Sequence, residues 1–157
     1  MNKKVLIPIR ESLGNAHYVI AEKLYNAFTS IGCNVHVVNL DAEENEMVIQ
    51  GYLDNIGANL LVTIDLVGFE LTLLGDDLYY NSLCIPSMNF IRNNPDLHKD
   101  ALSMRMNFTM EFYAKEEYVS YIKENFFRVP NIKAFDIETA NEELLKEFLI
   151  KELQEII

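Results

Sequence analysis

Short apolar runs alternate with amphipathic stretches along the first half of the chain. Residues 4–9, 34–40 and 59–65 are β-rich runs of the kind found in strands that are buried on both faces. Between the first two runs, apolar side chains recur at helical spacing from residue 16 to residue 31. A second amphipathic stretch precedes the third run. This order of strands and helices predicts a parallel sheet with right-handed crossovers.

The ends of these helices are predicted from polar residues and glycines. Asn15 is a candidate N-cap for the first helix, and Gly32 lies where a glycine would end it. Asp41, with Glu44 three residues later, forms a variant of the capping box for the second helix. Gly57 is predicted to end that helix.

The second half of the chain adds three more strands, predicted at residues 84–91, 107–114 and 133–137, with helices around them. Residues 67–83 are less regular and are predicted to form a loop with short helical pieces. We therefore predict a single α/β domain over residues 1–157. It is a three-layer, Rossmann-like fold with an open parallel sheet of five or six strands and helices on both faces. A six-stranded sheet is the preferred interpretation, and a five-stranded flavodoxin-like sheet is the alternative.

Composition and charge exclude several functions. The 157 residues carry 13 Lys and Arg against 24 Asp and Glu, a net charge of −11. This charge argues against a nucleic-acid partner and against an anionic membrane surface. Asp65 and Glu70 interrupt the longest apolar tract, so no membrane span is predicted. Cys33 and Cys84 form neither a metal-binding spacing nor a disulfide framework, and we expect a reduced, cytoplasmic setting.

The loop between the first strand and the first helix is the candidate ligand-binding site, because ligands bind beyond the carboxyl ends of parallel strands. Gly14 permits a tight turn before the helix N-terminus, whose amides favour anions. Arg10 supplies a cation, while Ser12 and Asn15 supply polar contacts. Together these four residues could hold a phosphate, a carboxylate or the hydroxyls of a sugar. The alternative is an ordinary helix start, with Arg10 in solvent or paired to Glu11.

His17 and Asp65 are the candidate catalytic residues. His17 lies at the start of the first helix, where the helix N-terminus would lower the pKa of its imidazole and leave a neutral base. The alternative is a partly exposed histidine with no chemical role. Asp65 ends the third strand and faces the ligand crevice or, the favoured interpretation, caps the turn at residues 67–68. His36 and His98 are expected to be structural, and the scattered histidines predict no metal site.

Tightly bound nucleotide cofactors are not predicted. Only Gly14 is present where a dinucleotide-binding loop needs three glycines, and the Walker A pattern is absent. The loop also lacks the Ser and Thr residues of an FMN loop. NAD, ATP and FMN are therefore disfavoured, and we expect no cofactor. Residues 1–40 carry a net charge of +2 and the rest of the chain −13, which favours a polar or anionic ligand at the first loop.

Several segments between residues 4 and 137 resemble the acceptor-side domain of GT-B glycosyltransferases. The first strand, a glycine-containing loop with a histidine and the turn into the second strand look like the first unit of that family. A later strand end and two further segments are similar to bacterial spore-coat-associated glycosyltransferase-like proteins. The matching segments are Val5–Ile9, Gly14–His17, Gly32–Val35, Thr63–Glu70, Asn107–Met110 and Val129–Ile132.

The resemblance implies a domain that binds a sugar or a nucleotide-sugar. In GT-B enzymes the nucleotide-sugar is held mainly by a second, C-terminal Rossmann domain, which this sequence does not contain. The family's loop also has more than one glycine, whereas here only Gly14 is present. We therefore expect a binding module, or one subunit of a split glycosyltransferase, without transferase activity of its own.

Two other functions remain as alternatives. The first is a small, self-contained enzyme of the Rossmann type that uses His17 or Asp65 in a closed pocket. The second is a structural or partner-binding domain with a vestigial crevice. The C-terminal helix carries more apolar residues than one buried stripe needs, among them Phe148, Ile150 and Ile157. A homodimer contact or a partner subunit is therefore expected at this helix.

Overall fold

The computed structural model describes residues 2–42, 54–69, 80–81 and 84–156, and within them six parallel strands form one open sheet. The strands are β1 (Lys4–Ile9), β2 (Asn34–Asn39), β3 (Leu60–Ile64), β4 (Ser87–Ile91), β5 (Met110–Ala114) and β6 (Ile132–Ala134). Their spatial order is β2-β1-β3-β4-β5-β6, and every neighbouring pair is parallel. The predicted open parallel sheet is therefore confirmed, with six strands.

Helices cover both faces of this sheet. The helices are α1 (Asn15–Ser30), α2 (Lys99–Leu102), α3 (Glu116–Asn125) and α4 (Glu142–Ile156). Single 3-10 turns lie at Glu11–Leu13, Leu40–Ala42 and Pro95–His98, and residues 54–56 are helical. α1 and α4 pack on one face and α2 and α3 on the other, each against its own apolar cluster. This is the predicted three-layer arrangement.

The strand sequences are continuous in apolar residues because both faces of the sheet are covered. In β1, Val5 and Ile7 pack under α1, whereas Leu6 between them packs on the opposite face. β1 has the predicted bounds, and β2 ends one residue before the predicted position. Pro86 immediately precedes β4, where its missing N–H removes no bond from the ladder.

The helix starts differ from the sequence predictions in two places. Gly14, with φ 89°, is the N-cap of α1, and Asn15 is the first helical residue and makes no cap bond. Asp41 lies in a 3-10 turn, and its carboxylate bonds the first loop in place of the predicted cap; Glu44 lies outside the described residues. The predicted end at Gly57 is confirmed by its φ of 68° after helical residues 54–56.

The strand order reverses between β1 and β3, because β2 lies outside β1. The first five strands follow the order 2-1-3-4-5 of doubly wound flavodoxin-like sheets. At such a switch point, the loops that leave the two central strands diverge to opposite faces and open a crevice. The loop after β1 and the turn after β3 therefore flank the expected binding position.

Candidate functional site

A crevice of about 630 Å³ opens at this switch point, beyond the carboxyl ends of β1, β3 and β4. One wall is the first loop, with Arg10 and Leu13, and a second is the turn after β3, from Asp65 to Phe69. The third is the segment that follows β4, from Asp96 to Met104. The structure thus brings together Arg10 and Asp65, two of the predicted site residues, on the walls of one cavity.

An ion pair between Asp65 and Arg92 lies at the base of this crevice. Asp65 is 7% exposed, and its Oδ2 accepts a hydrogen bond from Arg92 Nε at 2.5 Å. Its Oδ1 accepts from the amides of Arg92 at 2.9 Å and Asn93 at 3.4 Å. The carboxylate therefore joins the end of β3 to the end of β4, and the predicted capping of the turn at residues 67–68 is wrong. In that turn, the amide of Val67 donates instead to Ile64 O.

The turn after β3 carries unusual backbone strain. Asp65 and Leu66 have φ values of 50° and 58°, in the left-handed region. An L-residue with a Cβ pays about 1–2 kcal/mol there, and a buried leucine has no local hydrogen bond to offset it. Gly68, with φ 93°, is required because a Cβ would lie 1.8 Å from the Tyr80 hydroxyl, which donates to Val67 O. Such strain is concentrated at functional sites, and here it shapes a wall of the crevice.

His17 lies beneath the first loop and is 1% exposed, so the alternative of a partly exposed side chain is wrong. Its Nε2 accepts a hydrogen bond from the amide of Arg10 at 3.4 Å, while Nδ1 has no partner among the described residues. Burial lowers the pKa of this imidazole; Asp65 opposes the shift and Arg92 adds to it. The predicted lowering of the His17 pKa is found, but its main cause is burial rather than the helix N-terminus.

His98 is a site residue that the sequence interpretation missed. It lies on the wall of the crevice after β4, and its Nε2 is buried without a partner in the described part of the chain. Burial also lowers the pKa of His98, so its ring is neutral at pH 7. A neutral imidazole nitrogen can donate or accept a hydrogen bond, depending on the tautomer. In the sequence, the only indication of this role is that His98 follows a strand, and many surface residues are in the same position.

The first loop already holds an anion, the side chain of Asp41. The Asp41 carboxylate accepts from the amide of Ser12 at 2.8 Å and from Arg10 Nη1 at 3.2 Å. Hydrogen bonds from Ser12, and then from Arg10, lower the pKa of Asp41. The amide of Gly14 donates to Glu11 O at 3.0 Å. A phosphate or carboxylate at this loop would therefore have to displace Asp41.

The predicted site residues thus separate into two groups. Arg10 and Asp65 line the crevice, together with the newly found His98. Ser12, Gly14, Asn15 and His17 are not among the crevice-lining residues that the structure describes. The first loop supports one wall, and the crevice between the loops is the better candidate site.

A different polar network, which sequence reasoning did not find, lies between α4 and the strands β5 and β6. Glu152 on α4 is 2% exposed and accepts from the hydroxyl of Tyr113 at 2.8 Å. Lys133 Nζ lies 3.1 Å from both oxygens of Glu152 and 2.7 Å from Glu155. Burial raises the pKa of the adjacent Glu111, whose Oε2 has no partner among the described residues. This network fastens α4 to β5 and β6.

The apolar residues of the C-terminal helix are only partly available to a partner. Phe148 is half-buried, and its ring stacks on Phe135 with centroids 3.8 Å apart. Ile150 and Leu144 are exposed, and Ile157 lies outside the described residues. A contact through this helix stays a prediction.

Within residues 2–42, 54–69, 80–81 and 84–156, no three His, Cys, Asp or Glu side chains are arranged to hold a metal ion. No helix in these ranges combines the length and apolarity that crossing a bilayer requires. No protein-family model matches the chain, and no curated protein matches it. The functional argument therefore depends on the geometry of the crevice.

Proposed function

We propose that this domain binds a neutral, hydroxyl-rich small molecule, in the first instance a sugar, in the crevice between the first loop and the segment after β4. Apart from Asp100, the charged side chains that line the crevice are matched in pairs. Asp65 is paired with Arg92 and Arg10 with Asp41, and Lys99 Nζ lies 3.9 Å from Asp96. Such paired walls offer little net field to an anion and leave hydrogen bonding and apolar contact as the sources of affinity.

The observation that carries this proposal is the buried Nε2 of His98, a residue of the crevice wall; this nitrogen has no partner among the described residues. A buried polar atom without a partner costs about 1–3 kcal/mol, and a ligand hydroxyl within reach would recover this cost. Leu13, Leu97 and Met104 add apolar surface to the walls of the same crevice. A sugar presents both hydroxyls and C–H faces, and it therefore fits this combination of contacts.

The resemblance to GT-B acceptor-side domains favours an acceptor sugar over a nucleotide-sugar. The same proposal therefore makes the chain the acceptor-binding part of a split glycosyltransferase. A nucleotide-sugar is less favoured because Asp41 occupies the anion-binding amide of Ser12 and the guanidinium of Arg10. The strained turn at Leu66 supports a binding role, because a fold that only needed stability would not keep it.

Saturation-transfer NMR with free monosaccharides and nucleotide-sugars tests this proposal. We expect transfer to at least one free sugar, and His98→Ala is expected to weaken binding roughly 10-fold, the equivalent of about 1.4 kcal/mol. Leu97→Ser at the crevice should also weaken binding. Leu144→Ser, which removes an exposed leucine from α4, is the matched control and should leave binding unchanged.

Two results would contradict the proposal. One is the absence of transfer to every sugar. The other is a sugar whose affinity neither His98→Ala nor Leu97→Ser changes. Arg10 belongs to both the first loop and the crevice wall. Binding of a nucleotide-sugar that Arg10→Ala weakens and that His98→Ala and Leu97→Ser leave unchanged would therefore move the site to the first loop.

A further inference from the structure

The two edges of the sheet differ in how they are protected. β6 is three residues long and carries Lys133, and both features discourage another strand from pairing. β2, at the other edge, is six residues long and has the sequence Asn-Val-His-Val-Val-Asn. It contains no proline, lysine or acidic residue, so the usual devices that block edge pairing are missing. Within the described residues, an edge strand of this length and sequence is suited to pairing with another chain.

An apolar groove runs beside this edge, between α1 and β2. Its volume is about 340 Å³, and its walls include Tyr18, Tyr25 and Val37. Val37 is 41% exposed, and both tyrosines are exposed as well. Exposed aromatic and β-branched side chains grouped at one edge are typical of a protein contact surface.

Charge indicates which partner this surface fits. α1 and β2 together contain one acidic and one basic residue, Glu22 and Lys23. Lys23 points away from the edge, because its Nζ donates to Ile137 O at 2.8 Å. The chain as a whole has a net charge of −11. A basic partner would be drawn to the acidic remainder, whereas two copies of this acidic chain can approach each other best at this nearly uncharged face.

We propose that a second copy of this chain docks here, with β2 pairing antiparallel to β2 of the other copy about a twofold axis. Such a contact uses the same surface on both copies and continues the sheet across the dimer. A register centred on His36 places Val37 of each copy opposite Val35 of the other, on the face that carries α1. The exposed valine is then covered by an apolar neighbour.

The size of the face sets the strength of this dimer. α1 and β2 lie side by side, so the face is roughly 24 Å long and about 10 Å wide, or about 240 Å² per copy. A standard interface buries about 800 Å² per partner. The dimer is therefore weak and reversible, with a dissociation constant of about a millimolar.

Sedimentation velocity of the full chain, from about 10 µM to about 1 mM in reducing buffer, tests this proposal. The wild type should shift from monomer to dimer as the concentration rises. Val37→Lys should remain monomeric, because a lysine on the edge strand blocks pairing. Tyr25→Lys, on the exposed face of α1, should also remain monomeric and guards against misfolding of the strand variant. Circular dichroism checks that both variants are folded.

Leu144→Lys is the matched control, since Leu144 is 51% exposed and lies on α4. It should dimerise like the wild type. A wild type that is monomeric at every concentration overturns the proposal. Dimerisation that Leu144→Lys abolishes, and that folded Val37→Lys and Tyr25→Lys retain, also overturns it and assigns the contact to the C-terminal helix.

Discussion

Two buried carboxylates hold different parts of the same sheet, and their surroundings differ. Glu152 packs over β5 and β6, lies in the regular helix α4 and is bonded by Tyr113 and Lys133. Asp65, at the end where β3 stops, has a left-handed backbone, and the strained Leu66 follows it. Asp65 is fully bonded, but the imidazoles of His17 and His98 near it each keep one buried nitrogen without a partner among the described residues.

This difference separates stabilising groups from groups that are available to a ligand. The network at Glu152 joins regular elements and needs no strained backbone. The carboxyl ends of β3 and β4 carry strain and unpaired nitrogens, which lower stability. Proteins retain such costs where a ligand benefits from them, so binding is assigned to the ends of β3 and β4 and helix attachment to the network at Glu152.

Loss of the Asp65 carboxylate should have the largest effect. Asp65→Ala leaves the nearly buried guanidinium of Arg92 and two amides without their acceptor, and breaking a buried pair in this way costs about 3–5 kcal/mol. Urea unfolding measures the loss of unfolding free energy. Asp100→Ala, which removes an exposed aspartate from the same crevice, is the control and should change stability little. Equal effects of the two variants would contradict the structural role of the pair.

Removal of the Tyr113 hydroxyl should have an intermediate effect, confined to stability. Tyr113→Phe deletes a buried hydrogen bond to a carboxylate, for which about 1.5–3 kcal/mol of unfolding free energy is expected. Sugar binding should be unchanged, because neither Tyr113 nor Glu152 lines the crevice. Tyr25→Phe, at an exposed position, serves as the control. A variant that keeps its stability but loses sugar binding would reverse the roles assigned to the two regions.

The stabilities contributed by the two regions should also respond oppositely to acid. Burial lowers the pKa values of His17 and His98 below 6.5, so below that pH the unfolded chain binds more protons. Stability should therefore fall as the pH drops below 6.5, by at most about 1.4 kcal/mol per pH unit for each histidine. Glu111 has a raised pKa, so its contribution is full below 4.5 and is lost as the pH rises through the raised value.

Urea unfolding between pH 4 and pH 7.5 checks these signs. His17→Gln should flatten the slope just below pH 6.5, while Glu111→Gln should remove the loss that accompanies rising pH at the acidic end. If the unfolding free energy of the wild type and that of His17→Gln change with pH at the same rate, then His17 binds its proton equally in the folded and unfolded states.

Most of the fold could be predicted from the sequence, because the patterns that specify its strands and helices involve residues close together in the chain. The apolar run of β1 and the helical spacing of α1 each depend on neighbouring residues, and both elements were predicted to within a residue or two. The sheet order placed the candidate site at the first loop and at Asp65, which do flank the crevice.

The partners of the site residues were not accessible, since they depend on which strands become neighbours. Arg92 reaches Asp65 only because β4 pairs with β3, and Asp41 reaches Ser12 only because β2 lies beside β1. Local patterns favoured caps for both aspartates, and both formed long-range bonds instead. His98 was missed for the same reason, because its burial depends on residues that are distant in the sequence.

The most direct test of the central claim is a nitrogen–proton correlation spectrum of labelled protein titrated with the sugar found by saturation transfer. We expect shifts at Leu13, Leu66 and His98 around the crevice, none at Glu111 or Lys133, and loss of the shifts in His98→Ala. Shifts confined to the surroundings of Glu111 and Lys133, or shifts that persist in folded His98→Ala, would contradict the assignment of binding to the crevice beyond β3 and β4.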